Sequence, residues 1–289
     1  MDRNFGKVNG HLIGIAMKEM VRRAVSTIRR ERFAFAVQAK TGYDGSDDMV
    51  TSADRAAQDV YLRSLRECFP DFGILAEEEE LAVECTLEGG GLYFTVDPLD
   101  GTKAFVRRQS AGIGTMLALV QDGEVIGAFI GDVMTKELYG FRPGSKKVHR
   151  ISEFEVAERL EVDSERPLGS QYISLREIPE DHSAAARRLT RGASGVEVTG
   201  GSIGTQVAKL WKGEVGAVLL PPSHETPWDV APVMGISERM GLRMYGIQNG
   251  EPVRLKMRVQ KKVVRRDAEV VIVHASREAE LRRLLTDNE

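Results

Sequence analysis

Between residues 12 and 32, apolar side chains recur at Ile13, Met17, Met20, Ala24 and Ile28, with charged residues between them. That spacing lays one apolar stripe along a helix. The stretch "VTSADRAAQDVYLRSLRECFP" repeats the pattern, with Ala53, Ala57, Val60, Leu65 and Cys68 on one side and Pro70 closing the helix. Between the two, "KTGYDGSDD" reads as a polar, glycine-bearing loop. The period then shortens. "FGILA", "LYFTV", "IGTMLALV", "EVIGAFIG" and "KELYGF" are short β-like runs, and Gln121-Asp122-Gly123 joins the third to the fourth as a hairpin turn. Residues 90–141 therefore read as an antiparallel meander.

Charge, proline and glycine rise over residues 143–170, which sets a boundary between a half at 1–150 and a half at 151–289. Beyond it strands and helices alternate. "QYISL", "GVEVT" and "GAVLLP" are strands, and helices cover 181–191, 202–212 and 229–240. Strands near 242–258 and 268–274 and a helix from Ser276 finish the chain. Mixed elements of this kind imply layers, an α+β first half and an α/β second half.

Composition narrows the function classes. The 289 residues carry 40 basic and 43 acidic side chains, net charge −3, so nothing draws the chain generally to nucleic acid or anionic membrane. Two cysteines, Cys68 and Cys85, form no C-x-x-C pair, which implies a reducing compartment. The first residues, "MDRNFGKVNGHL", lack the apolar core of a signal peptide, and no 18-residue apolar run exists. A cytoplasmic protein without membrane contact is expected. The five histidines show no H-E-x-x-H spacing, and P-loop, Rossmann and G-x-S-x-G motifs are missing.

What remains is a set of acids at the edges of predicted elements. Asp54 lies in the first turn of the second helix, Glu77 follows "FGILA", Asp97 and Asp100 follow "LYFTV", and Asp229 opens a helix in "PWDVAP". Singly, each has a plain explanation as a capping residue or a solvated charge. Together they sit where layered α/β structures gather ligands. Mg²⁺ takes hard oxygen donors. With Pro98 ending the strand and turning the chain, Asp97 and Asp100 can converge on one ion, and the Leu99 carbonyl becomes a third oxygen. Gly101 and Thr102 then lead into a helix start able to receive phosphate.

The segments "DPLDGT", "ILAEEE", "DMVTSAD" and "WDVAP", in that order over about residues 10–245, resemble the signature motifs of the inositol monophosphatase family. The resemblance implies an α-β-α-β-α layered sandwich of the inositol monophosphatase/fructose-1,6-bisphosphatase type and a Mg²⁺-dependent, lithium-sensitive phosphomonoesterase, often a homodimer. It also implies metal ligands at Glu77, Asp97, Leu99 (by its carbonyl), Asp100 and Asp229. Asp54 and Thr102 would orient and deprotonate an attacking water, with a second Mg²⁺ at the leaving oxygen. Asp100, Gly101, Thr102 and Asp229 would contact substrate, as would Ser202 in "GGSIGTQVAKL", a residue that reads more plainly as a helix cap.

The expected substrate is an inositol monophosphate. Two departures open other branches. Leu99 and Lys103 look more like the 3′(2′),5′-bisphosphate nucleotidase and histidinol-phosphatase branches. Pro222 stands where inositol enzymes place a substrate-binding glutamate seven residues before the aspartate, and Glu225 is the nearest carboxylate. The basic stretch "VRLKMRVQKKVVRR" (253–266) reads as a charged edge strand. It is also the feature that favours a different class of function, a regulatory partner of the transcription machinery.

Overall fold

The computed structural model describes residues 4–286 except 44, 46, 90 and 257. Helix α1 (Gly10–Glu31) starts where the Asn9 side chain accepts from the Leu12 N–H, and it buries Ile13, Met17, Met20, Ala24 and Ile28. Helix α2 (Ser52–Cys68) starts with a capping box between Thr51 and Asp54. The two helices pack on each other and on one face of an eight-stranded sheet.

In that sheet the strands Leu92–Asp100, Gly114–Gln121, Glu124–Asp132 and Leu138–Phe141 run antiparallel in sequence order, as the predicted meander requires. The strand Gly73–Ala76 joins Leu92–Asp100 in parallel. Asp122 and Gly123 both have positive φ in the two-residue turn between paired Gln121 and Glu124. Both faces of the sheet are covered. Leu117 and Leu119 enter the core under α1 and α2, while the alternate residues Met116, Ala118 and Val120 enter a second core on the other side.

That second core holds the middle of the molecule together. It combines the first sheet with Val207 and Trp211, Ile236, and Val218 and Ile272. After the short helix α3 (Thr102–Val106) and helix α4 (Ala184–Arg191) come α5 (Ile203–Trp211) and α6 (Pro227–Arg239), the two helices of this middle layer. A six-stranded sheet follows, in the order 195–198, 172–175, 217–220, 270–274, 242–248, 251–255. Helix α4 and helix α7 (Glu278–Thr286) cover its far face through Ala186, Leu189, Leu281 and Leu285. The five layers are α-β-α-β-α, as expected. No helix among the described residues is long and apolar enough to cross a membrane.

Two segments away from the acidic cluster depart from expectation. "KTGYDGSDD" is not all loop, because Val37–Thr41 and Asp47–Thr51 form a hairpin with Lys40 opposite Asp48. Val37–Thr41 is exposed at four of its five positions and Asp47–Thr51 buries only Val50 and Thr51 at its end, so no alternation of apolar residues announces them. The basic stretch is not one edge strand either. Only Glu251–Leu255 lies at the sheet edge. Val259 is buried and bonds the Gly123 carbonyl, and Val264–Arg266 pairs with Ser223–Glu225. Three of its cations are paired, Lys261 with Glu84, Arg265 with Asp267 and Arg266 with Glu225.

Candidate active site

Side chains three residues apart on a regular strand point to opposite faces. Asp97 and Asp100 nevertheless converge, because the ladder shifts by one residue between them: Asp97 pairs with Met116 and Asp100 with Gly114. Pro98 and Leu99 form this bulge within a strand that continues through Asp100. The expected end of the strand at Pro98 is thereby corrected. Proline lacks the N–H a regular ladder needs, so it is accommodated at a bulge, which re-aims the side chains beyond it.

Helix α6 brings in the third acid. Thr226 caps its N-terminus by accepting from the Asp229 N–H, 3.3 Å away, which fixes Asp229 in the first turn. Asp97, Asp100 and Asp229 each offer an oxygen lying within 4.8 Å of the others. Asp97 Oδ1 is buried and has no hydrogen-bond partner. Burial first, then the charges of Glu77, Asp229 and Asp100, push the Asp97 carboxyl well above the ordinary range. Asp100 is pushed up to about 6 by burial and by Asp229, against bonds from Ser202 and the nearby Arg176. Such a group is short of positive charge.

Glu77 stands beside this cluster, outside the tight trio. Its carboxylate pairs with Lys40 at 3.0 Å, and Lys40 also holds Glu78 at 3.1 Å. Burial and then the neighbouring acids push Glu77 up to about 8, although Lys40 opposes them. Burial works against the Lys40 charge, but the two glutamates outweigh it and the ammonium holds its proton more tightly than usual. Lys40 was missed in the sequence because its hairpin was missed.

The water-orienting pair expected from the sequence is in contact. Thr102 Oγ1 lies 3.1 Å from Asp54 Oδ1 and 3.1 Å from the Leu99 carbonyl oxygen. Asp54 Oδ2 accepts from the Thr51 N–H at 2.7 Å and the Thr51 hydroxyl at 2.5 Å. Asp54 is thus both a helix cap and the partner of Thr102. Burial raises its pKa, while the bonds from Thr51 and Thr102 oppose that rise.

Gly101 allows the loops to meet here. Its φ is +92°, and a Cβ there would lie 2.3 Å from the Gly112 carbonyl oxygen and 2.7 Å from the Ser202 nitrogen. Ser202 is fully buried, caps α5 by accepting from Thr205 N–H at 2.9 Å, and donates its hydroxyl to Asp100. Asp100 also accepts from Ile203 N–H at 3.1 Å and Gly204 N–H at 2.8 Å. Its carboxylate therefore sits on the N-terminus of α5, where the helix dipole favours a negative charge. The Ser202 hydroxyl, a candidate for substrate contact, is engaged in these bonds.

A cavity of about 440 Å³ opens beside the cluster, with Asp100 and Asp229 in its wall. Its walls include Arg176, Pro222, His224 and Glu225. Glu225 is bound to Arg266 at 2.7 Å, and Arg266 donates also to the carbonyls of Pro221 and Ala268. The lengthened 221–225 segment is thereby fastened to the basic stretch. Sequence reading gave no sign of this pairing, since the two segments lie 41 residues apart.

The family model for the inositol monophosphatase family matches residues 12–285, and the chain belongs to that family. Among curated relatives, a histidinol-phosphatase of Chlorobaculum parvum is 27% identical over 195 residues, 68% of this chain and 71% of that protein. A 3′(2′),5′-bisphosphate nucleotidase of Salmonella typhimurium is 34% identical over 122 residues, 42% of this chain but less than half, 47%, of that protein. The crystal structure of an extragenic suppressor protein SuhB from Bartonella henselae superposes with a TM-score of 0.74 at 20% identity, covering 96% of this chain and 100% of that one. At that identity the likeness speaks for the fold.

Proposed function

We propose that the protein is a Mg²⁺-dependent phosphomonoesterase acting on a small phosphate monoester. One observation carries the reading: a buried, unpartnered Asp97 oxygen in a cluster of three carboxylates, two of which line a cavity, beside a Thr–Asp pair. Oxygen donors alone suit a hard divalent cation. Asp97, Asp100, Asp229, Glu77 and the Leu99 carbonyl would hold such ions. When bound, Mg²⁺ would polarise the phosphoryl group, make a water more acidic and stabilise the leaving oxygen.

The chain's own residues supply the rest. Thr102 donates its hydroxyl hydrogen to Asp54, which leaves its lone pairs facing outward to accept from a water and orient it. Asp54 then takes up the proton through Thr102. Its burial favours that protonated state. Backbone N–H groups at Gly101 and Thr102, where α3 begins, would grip the phosphate. Residues 1–150 contribute all of these groups except Asp229, so the site needs both halves of the chain.

An inositol monophosphate is the substrate drawn from the sequence, with Glu225 as the contact for ring hydroxyls. A second reading is favoured by the Glu225–Arg266 ion pair. With Pro222 in the wall and Glu225 engaged by Arg266, the 221–225 segment offers a polyol ring no unpaired carboxylate. The esters named for the relatives, histidinol phosphate and a 3′-phosphorylated nucleotide, carry fewer hydroxyls. The family resemblance further carries lithium sensitivity and a cytoplasmic homodimer, and these belong to the same proposal.

Phosphate release from a panel of monoesters, with and without Mg²⁺ or Mn²⁺, tests the reading. Release is expected only with the metal, and millimolar Li⁺ suppresses it. Full activity in excess EDTA sinks the metal assignment.

A further inference from the structure

Ser174 and Arg176 stand two residues apart at the end of the strand Tyr172–Leu175. Both face the layer of α5, while Ile173 and Leu175 enter the core under α4 and α7. From there the half-buried Arg176 guanidinium reaches the start of α5. Its Nη2 donates to the Gly201 carbonyl, and its Nη1 lies 3.5 Å from the Gln206 side-chain oxygen. Gln206 is fully buried and donates to the Ser174 hydroxyl at 3.3 Å, which closes a polar link back to the strand.

The Gly201 carbonyl belongs to the same peptide unit as the Ser202 N–H, which donates to the Gly112 carbonyl at 2.8 Å. That one peptide plane is therefore gripped at both ends. Gly200 and Gly201 precede it, and glycine would otherwise leave the plane free to rotate. The plane leads directly into the Ser202 hydroxyl and the Ile203 and Gly204 N–H groups from which Asp100 accepts. Among the described residues Arg176 makes no ion pair, although its charge is felt at Asp100.

We propose that Arg176 is a positioning residue of the acidic cluster. By clamping the Gly201–Ser202 peptide it holds the start of α5 on Asp100, and so holds Asp100 in place for a divalent cation. The inference rests on the proposed metal-dependent reading and deepens it. Arg176 acts here through Gly201 and touches neither metal nor ester. Its clamp and its charge have opposite effects on metal affinity. A cation near Asp100 repels another, so loss of the charge alone would tighten Mg²⁺ binding. Loss of the clamp removes the support of a metal ligand, which typically costs about 10–100-fold in affinity.

Calorimetric Mg²⁺ titration of the full chain separates the two. Arg176→Met should bind Mg²⁺ about tenfold more weakly. Arg176→Lys returns a charged donor to the same carbonyl and should recover most of that loss. Unchanged or tighter binding by Arg176→Met overturns the clamp. If the methionine variant does not fold, Arg176→Gln repeats the comparison. Hydrogen exchange of the metal-free protein gives a second readout. In Arg176→Met the Ser202, Ile203 and Gly204 N–H groups should exchange about tenfold faster, since a charged hydrogen bond is lost nearby. Exchange in α7 should not change. Equal acceleration in α7 would mean general destabilisation and overturns the positioning role, as does unchanged exchange at 202–204. At saturating Mg²⁺ the KM for a hydrolysed ester should stay as it was, whereas a raised KM with unaltered Mg²⁺ affinity would make Arg176 a substrate contact and overturn the clamp. If no ester is hydrolysed but weaker Mg²⁺ binding and local exchange both hold, the phosphatase reading fails while the clamp stands.

Discussion

The Thr102 hydroxyl meets the Asp54 carboxylate at 3.1 Å, joining the first turns of two helices 48 residues apart. Because Asp54 Oδ2 is already filled by Thr51, Oδ1 is the oxygen left for Thr102. Replacing Asp54 with asparagine forces a choice. If the amide oxygen serves Thr51, the NH₂ points at Thr102 and reverses that hydrogen bond, so Thr102 no longer turns its lone pairs outward.

Asp54→Asn should therefore lower kcat by roughly 10²–10⁴, the usual worth of general-base help, while Mg²⁺ affinity changes little. Asp100→Asn should lose both, since Asp100 belongs to the acidic trio. It should also melt earlier, because its amide would set a donor against the N–H groups of Ile203 and Gly204. Calorimetric Mg²⁺ titration of the two variants separates the roles. Equal loss of metal binding would show that they are not distinct.

Stability of the metal-free protein should fall as pH rises from 6.5 to 8. Glu77 is held up to about 8 in the folded chain against 4.5 as its ordinary value. The folded state thus binds a proton that the unfolded state has released, and each pH unit in this window costs up to about 1.4 kcal/mol. His149 and His274 have lowered values, so they pull the other way only at the lower end of this window, as the unfolded imidazoles lose their last protons. Thermal melts in EDTA at pH 6.5 and 8 check the sign. Glu77→Gln should flatten the difference, and a melting point that rises with pH would contradict it.

Much of this site was legible in the chain because its acids sit in local motifs. Asp97, Asp100, Thr102 and Asp229 each lie next to a strand end or helix start that periodicity reveals, and order along the chain aligned them with a known family. The bulge at Pro98 was not legible, since a proline between aspartates is as compatible with a turn as with an extra residue in a ladder. Lys40 was hidden for another reason. The first strand of its hairpin is exposed at four of five positions and carries no apolar period. Arg266 reads as one more charge in a basic run, and only the tertiary fold turns it inward to Glu225 while Arg265 beside it stays out. Local patterns do not encode such choices.

Glu225→Gln should raise KM more than it lowers kcat. The exchange weakens the tie to Arg266, whose other bonds reach the carbonyls of Pro221 and Ala268, and so loosens the cavity wall at 221–225. A rise of about tenfold for every ester in a panel is the pattern of lost uniform binding. A rise confined to inositol 1-phosphate would instead give Glu225 a direct contact with ring hydroxyls.

Gly101→Ala should be among the more damaging single changes available near the site. The residue holds φ at +92°, and the new methyl would meet the Gly112 carbonyl oxygen at 2.3 Å and the Ser202 nitrogen at 2.7 Å, both backbone atoms that cannot swing aside. Strain at such a position costs about 1–3 kcal/mol before any clash is counted. Relief of the clash has to push residue 101 away from Gly112 and Ser202, and that displacement moves Asp100 on one side and Thr102 on the other. The expected result is a melting point lower by about 6–12 °C, the equivalent of about 3 kcal/mol in a chain of this size, with Mg²⁺ affinity reduced in whatever folded protein remains. Gly200→Ala is the control, because its φ lies outside the left-handed region and its Cβ would meet nothing within 4 Å. Its melting point should stay close to that of the unaltered protein. If the two variants melt together, the close approach of the three loops is not what holds Asp100 and Thr102 in register.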